Sequence, residues 1–162
     1  MSFTDKIGSK ILLPAELLKR IEFWRMLGDK IVFTNGCFDI LHQGHIHLLA
    51  ECSGLGERVI VGLNADSSVK ELKGPSRPVN DQQSRATLLA ATQFVDAVII
   101  FYENTPSNII HTIKPDVLVK GGDWKKDEII GGEFVESYGG KVQPISYLKG
   151  FSTTEIIGRS QK

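Results

Sequence analysis

The sequence predicts an α/β fold built on a doubly wound, five-stranded parallel sheet. Two observations carry that prediction. Five short runs rich in β-branched residues recur along the chain, at 30–34, 58–63, 96–101, 116–120 and 141–145, and helical patterns separate them. Strands alternating with helices imply parallel pairing through right-handed crossovers, and sheets of this kind bind ligands at the carboxyl ends of their strands, where the strand order reverses.

The elements follow in order. After a polar leader, Pro14 opens a helix whose Leu17, Leu18, Ile21 and Trp24 fall at helical spacing, and Gly28 supplies its stop. The first strand, KIVFT, comes next. Helices are expected at 43–54, 66–72, 81–92, 106–114 and 126–137, with a last one starting at about 153, several opened by Asp, Ser, Thr or Pro. Between the second and third of these lies KGPSRPVN, in which two prolines and a glycine break both ladders and two cations stand ready to close over an anion; it is expected to be a mobile loop. The chain divides into a leader with its helix, 1–28, and the sheet domain, 29–162. It contains neither an internal repeat nor a low-complexity tract.

Composition narrows the function. At 162 residues and 41% hydrophobic content, one core can bury roughly two thirds of the unfolded surface without disulfide or metal staples. Nineteen basic side chains cancel nineteen acidic ones, which argues against a protein that grips long nucleic acid by its phosphates, so any anion site is local. Cys37 and Cys52 form no CxxC pair, which fits a reducing compartment and gives no zinc framework. No apolar run approaches the ~18 residues of a membrane span, and MSFTDKIGSK lacks a signal-peptide core; the expected location is the cytoplasm.

The chemistry gathers where the first strand ends, in Asn35, Gly36, Cys37, Phe38, Asp39 and then His42, Gly44 and His45. A helix starting near His42 places His42 and His45 on one face of its first turn. Unpaired N–H groups and the macrodipole make that turn favourable for anions, Gly44 leaves room for a phosphate to approach, and imidazole N–H donors stabilise charge building on phosphorus. Taken as isolated histidines, one caps the helix and the other packs; their place at the end of the first strand favours a paired phosphate site for phosphoryl or nucleotidyl transfer. His47 and His111 lie off that face and read as structural or exposed. No GxxxxGK[ST], no GxGxxG after a strand and no HExxH occurs, which excludes the corresponding phosphate and zinc sites.

The segment GCFDILHQGH resembles the GTFDxxHxGH signature of the cytidylyltransferase-like nucleotidyltransferases, and GFSTT at 150–154 resembles their second signature, ISTT. Within that superfamily the chain is most similar to the D-glycero-β-D-manno-heptose 1-phosphate adenylyltransferases, called ADP-heptose synthases in their bifunctional form. The likeness runs over about residues 29–160, through TNGCFDILHQGH, VGLNADSSVKELKG, RPVN, RATLLAA, KPDVLVKGGDW and FSTTEII. It implies a Rossmann-like sheet of the HxGH type, with AMP transferred from ATP to a sugar 1-phosphate. The bifunctional relatives carry a sugar-kinase domain for which 162 residues leave no room, so a separate protein is expected to make the sugar phosphate. Where related cytidylyltransferases often place an arginine, five residues before the signature serine, this chain has Tyr147, which weakens a cytidylyl reading.

The resemblance also implies roles. His45 contacts the α-phosphate in the transition state with His42 beside it, while Ser152, Thr153 and Thr154 meet the β- and γ-phosphates. By themselves those three could equally be a simple helix cap. Lys73 bridges the two reacting phosphates, with Lys70 as runner-up and Arg77 on the sugar phosphate, although the two lysines also suit a solvated helix end. Asn35, Gly36, Cys37, Phe38 and Gly44 line the nucleotide, Cys37 as a small packing residue and not a nucleophile. Gly121 and Asp123, in GGDW after the fourth strand, read the adenine edge or ribose, or form a bare turn with an exposed tryptophan. Asn64 and Asp66 are sugar-side candidates, and Asp39 steadies the HxGH turn. Mg²⁺ is expected mainly on the phosphates of ATP, without a carboxylate cage. Phe23 and Trp24 offer a homodimer interface or cover the sheet. Two alternatives stay open: transfer with other substrates, such as CTP with an alcohol phosphate or ATP with a flavin or pantetheine phosphate, and a non-catalytic nucleotide-binding protein.

Overall fold

β1 (Ile31–Gly36) lies at the centre of a five-stranded sheet in a computed structural model that describes residues 2–146, 148 and 150–160. β2 (Arg58–Asn64) and β3 (Ala97–Phe101) extend the sheet on one side of β1, and β4 (Val117–Gly121) and β5 (Lys141–Ile145) on the other. Every pairing is parallel, in the order β3-β2-β1-β4-β5. The order therefore reverses between β1 and β4, and the crevice outside their carboxyl ends is where such a sheet takes its ligand.

Alternation along the strands makes the two layers. Ile31 and Phe33 of β1 and Leu118 of β4 face one core cluster, shared with Leu17, Ile21 and Trp24 of α2 (Pro14–Met26), Ile110 and Ile113 of α6 (Ser107–Ile113), and Val135 of α7 (Gly132–Ser137). Val32, Val59, Val61 and Val119 face the other, with Leu48, Leu49 and Cys52 of α3 (Gln43–Ser53) and Ala86, Leu89 and Ala90 of α5 (Gln82–Ala91). Near-continuous apolar strands are what a sheet covered on both faces requires. Gly62 shows how closely the centre is filled: a Cβ there would lie 2.6 Å from Phe33 Cζ.

The predicted strands and most helices lie within a residue or two of their expected places. α4 (Asp66–Lys73) follows β2, and α8 (Thr153–Ser160) closes the chain. Two differences have physical causes. The single helix expected over 126–137 is broken into a 3₁₀ turn, Lys126–Glu128, and α7, because Gly131 takes φ +84° and Ile110 packs where its Cβ would be. The leader holds a short helix, α1 (Phe3–Gly8), opened by a capping box between Ser2 and Asp5, and Ile11 then bridges Val98 on the edge strand β3. α2, on the leader side of the expected boundary at residue 28, shares its core with β1. Trp24 is buried and covers the sheet, while Phe23 is exposed. Among the described residues no helix is long and apolar enough to cross a membrane.

Candidate active site

β1 leads directly into the site. Its last residue, Gly36, is followed by Cys37 and by Phe38 at φ +44°, and the Phe38 ring turns back so closely that a Cβ on Gly36 would lie 3.1 Å from it. Phe38 is buried, 5.0 Å from the His45 ring centroid to centroid. His42 is the N-cap of α3, and the His42 and His45 rings stack at 3.8 Å with 20° between their planes. The two imidazoles share one face of the first turn.

Both Nδ1 atoms are buried, and among the described residues neither has a hydrogen-bond partner. Buried polar groups nearly always find partners, so such a pair marks a place where a ligand or water supplies them. Burial lowers the pKa of both rings; for His45 burial, with the neighbouring His42 adding to it, brings the value to about 4 against an opposing effect of the Ile40 backbone. Both rings are therefore neutral near pH 7, each with one N–H to donate.

The second signature arrives from more than a hundred residues away. Ser152 caps α8, its Oγ accepting from the Glu155 N–H at 3.1 Å, and a Cβ on Gly44 would lie 3.4 Å from the Phe151 carbonyl oxygen and 3.0 Å from the His42 ring. Glu155 is close enough to raise the His42 pKa against the effect of burial. The starts of α3 and α8 thus lie side by side. Gly44 is needed for this packing, besides any room it leaves for a ligand. Thr153 is half-buried and Thr154 exposed, at the open N-terminus of α8; Tyr147 lies outside the described residues.

Cations surround the end of β1. Cys37 is half-buried, and burial pushes its thiol up although Lys73, Arg85, Lys120 and Arg77 all act to lower it. A thiol so disposed is a packing group rather than a thiolate nucleophile. Lys73 sits exposed in the last turn of α4, and Lys70 is exposed one turn earlier. Lys120, at the end of β4, is half-buried.

The loop expected to be mobile is instead tied to the site. Asp39, 1% exposed, accepts from Arg77 Nε at 2.5 Å and from the backbone N–H groups of Val79 and Asn80 at 2.8 and 3.0 Å; its own carbonyl accepts from Asn80 Nδ2. Burial raises the Asp39 pKa, but these hydrogen bonds outweigh it and hold the carboxyl below its usual range. Asp39 therefore secures the 77–80 segment rather than the HxGH turn, and Arg77 spends its Nε there instead of standing free for a sugar phosphate.

Asn64 and Asp66 come to the right end of β2 but are engaged. Asn64 is buried and donates to Ser68 Oγ, and the Asp66 carboxylate accepts from Arg85 Nη2 at 2.7 Å. Arg85 is fully buried and also donates to the Cys37 and Asn80 carbonyls, so one guanidinium ties the β1 exit, the loop and the start of α4 together. Arg85 and Lys120 escaped the sequence reading. Their signals were an arginine inside the apolar stripe of α5, beside Ala86 and Leu89, and a lysine closing the apolar run VLVK.

Asn35 is half-buried beside the crevice, and Gly121 and Asp123 follow at the end of β4, where the Gly122 N–H donates to the Ile145 carbonyl at 2.8 Å. A Cβ on Gly121 would meet Leu48 at 2.9 Å, so that glycine serves the packing of α3; Asp123 is exposed and Trp124 is 43% exposed. His111 lies apart from the site, bonded to the Ser107 carbonyl and stacked on Phe134 at 3.8 Å; His47 is half-buried.

A parallel sheet of this order, with paired imidazoles at the start of α3 and a Ser-Thr-Thr helix start against them, defines a class of nucleotide-handling protein. The chain belongs to the cytidylyltransferase-like family, which it matches over residues 33–159. It is 48% identical over 162 residues to the "Bifunctional protein HldE" of Hyphomonas neptunium, covering 99% of this chain and 33% of that one. It is 52% identical over 150 residues to the protein of the same name from Methylobacillus flagellatus, covering 93% and 31%. The chain thus spans about a third of the length of the curated relatives it matches. Among solved structures it is similar to the lipopolysaccharide core biosynthesis protein of Thermoplasma volcanium, at 33% identity and a TM-score of 0.64 over 75% of this chain and 100% of that one. A pantoate-β-alanine ligase from Francisella tularensis shares the fold at 16% identity, with a TM-score of 0.55 over 89% of this chain and 75% of that one.

Proposed function

We propose that the chain transfers AMP from ATP to a sugar 1-phosphate, D-glycero-β-D-manno-heptose 1-phosphate, releasing pyrophosphate and forming the ADP-heptose. The observation that carries this reading is the meeting of the two helix starts, with the stacked His42–His45 pair on one and Ser152 to Thr154 on the other. The similarity to HldE proteins, reaching 99% of this chain, supports the choice of substrates.

A phosphate oxygen of the acceptor attacks the α-phosphorus in line, forming a new P–O bond as the bond to the β-phosphate oxygen breaks. Pyrophosphate leaves with that electron pair. No enzyme nucleophile takes part, so the protein positions the reactants and stabilises charge. His45 donates to the α-phosphate as charge builds there, His42 stands beside it, and the N-terminus of α8 receives the β- and γ-phosphates. Lys73 offsets the repulsion between the two reacting phosphates. Asn35, Gly36, Cys37, Phe38 and Gly44 form the wall and floor under the nucleotide, and Gly121 and Asp123 border it. Asn64, Asp66 and Arg77 act through the scaffold that Arg85 and Asp39 hold.

Mg²⁺ would accompany ATP, coordinated mainly by the phosphate oxygens and water. Among the described residues no group of three His, Cys, Asp or Glu side chains could hold an ion, and Asp39 and Asp66 are already bound to arginines. When bound, the ion neutralises phosphate charge.

Pyrophosphate release from ATP, followed across a panel of sugar 1-phosphates with CTP in parallel and the product identified by mass, tests the reaction and its substrates together. Heptose 1-phosphate with ATP is expected to turn over; turnover with CTP alone would defeat the adenylyl reading. His45→Ala is expected to lower kcat by about 100-fold, the usual scale for removing a donor to a developing oxyanion, with a smaller change in ATP affinity. If both stay near wild type, His45 does not have this role.

A further inference from the structure

Lys120 occupies the place in this fold where a ligand is expected, and among the described residues no carboxylate pairs with it. The register pairs Thr34 of β1 with Val119 of β4 and so sets Lys120 beside Asn35, across the gap where the strand order reverses. Its side chain is half-buried, with Nζ 5.9 Å from the Trp124 ring centroid. Among the described residues it forms no ion pair. Two carboxylates at this end of the sheet, Asp39 and Asp66, belong to Arg77 and Arg85, and Asp123 is exposed. Burial lowers the Lys120 pKa; the Cys37 thiol opposes this, and the Lys73 ammonium adds a smaller push in the direction of burial.

Lysines are rarely buried without a partner, because removing an ammonium from water beside a like charge is costly. Strand alternation adds direction. Leu118 faces the layer of α2, α6 and α7, so Lys120 leaves β4 on that side, whereas His42 and His45 belong to α3 on the other. A ligand lying over the end of β1 would meet the imidazoles from one side and the Lys120 ammonium from the other.

We propose that Lys120 binds a phosphate oxyanion of the reactants, forming a second anion-binding position across the end of β1 from the His42–His45 pair. The inference rests on the adenylyltransferase reading and deepens it: two phosphate-bearing substrates repel each other, and a second cationic position lets both be held at once. The same chemistry suits a phosphate of ATP or that of the acceptor, and separate titrations distinguish them.

The test uses the full chain as wild type, Lys120→Met and Lys120→Arg. Affinities for ATP, pyrophosphate and heptose 1-phosphate are measured by calorimetry, with melting temperature and turnover alongside. Lys120→Met is expected to weaken at least one of the three by roughly tenfold or more, the scale for losing a charge-assisted contact. A loss confined to heptose 1-phosphate assigns the acceptor, and a loss for ATP and pyrophosphate assigns the nucleotide. Lys120→Arg, which keeps the charge, is expected to lose less. Lys120→Met is also expected to melt higher without ligand, since an unpaired cation has been removed; a purely structural lysine would shift melting the other way. Unchanged affinity for all three ligands overturns the inference whatever the melting temperature does, and so do equal losses in the two variants. Should Lys120→Met fail to fold, Lys120→Gln serves the same comparison. If wild type releases no pyrophosphate with any sugar 1-phosphate, the adenylyltransferase reading falls, and Lys120 is then judged on its ATP and pyrophosphate affinities.

Discussion

Burial leaves His45 with a pKa of about 4 in the folded chain, against an ordinary value of 6.5. The unfolded state therefore takes up a proton first as the pH falls, and stability that is fully present above pH 6.5 is lost as the pH drops toward 4. By this shift His45 accounts for a loss on the order of 3 kcal/mol across that window. His42 is displaced in the same direction and adds to it. Chemical denaturation from pH 7 to pH 4 checks the sign: His45→Asn is expected to give a flatter profile than wild type. A wild-type profile as flat as the variant's would mean that the ring is not buried as described. Bound triphosphate would work the other way, since nearby negative charge favours the imidazolium.

The loop between α4 and α5 depends on one carboxylate. Asp39 sits in the turn after β1, yet most of its hydrogen bonds go to 77–80, so the segment behind Lys73 is positioned by the same turn that leads into the HxGH residues. Asp39→Ala leaves the two backbone N–H groups and Arg77 without their acceptor, at a cost of about 1–3 kcal/mol. The expected outcome is faster amide exchange at Val79 and Asn80 and a raised KM for ATP, with the circular dichroism of the sheet unchanged. Exchange rates at 77–80 equal to wild type would show that the loop holds itself. Proline and glycine content marked this segment as irregular, which it is. Composition could not reveal that an aspartate some forty residues earlier would hold it, because that contact exists only once β1, β2 and the intervening helices are in place.

Arg85 acts on the molecule as a whole. One fully buried guanidinium joins the exit of β1, the 74–80 loop and the first turn of α4, through the Cys37 and Asn80 carbonyls and Asp66. Removing it leaves two carbonyls and a carboxylate without a donor. Arg85→Met is expected to cost about 3 kcal/mol in global stability, and Arg85→Lys to recover little, since an ammonium cannot span three acceptors in the guanidinium geometry. Denaturant midpoints of the two variants check this; a lysine variant as stable as wild type would reduce Arg85 to a point charge.

The alternation of apolar strands with amphipathic helices determined the doubly wound sheet, because burying both faces of a parallel sheet leaves its mark on every strand. Local spacing likewise determined the His42–His45 pair, since one helical turn brings positions three apart onto one face wherever that helix lies. Residues that meet only through the fold were beyond such reading. Only the tertiary structure decided that Asn64, Asp66 and Arg77 have partners within the protein, that Arg85 is a buried tie, and that Lys120 stands half-buried at the switch point. The physical reason is that a charge's role depends on which opposite charges reach it, and at this site the relevant groups come from β1, β4, α4, α5 and α8, brought together when the sheet assembles.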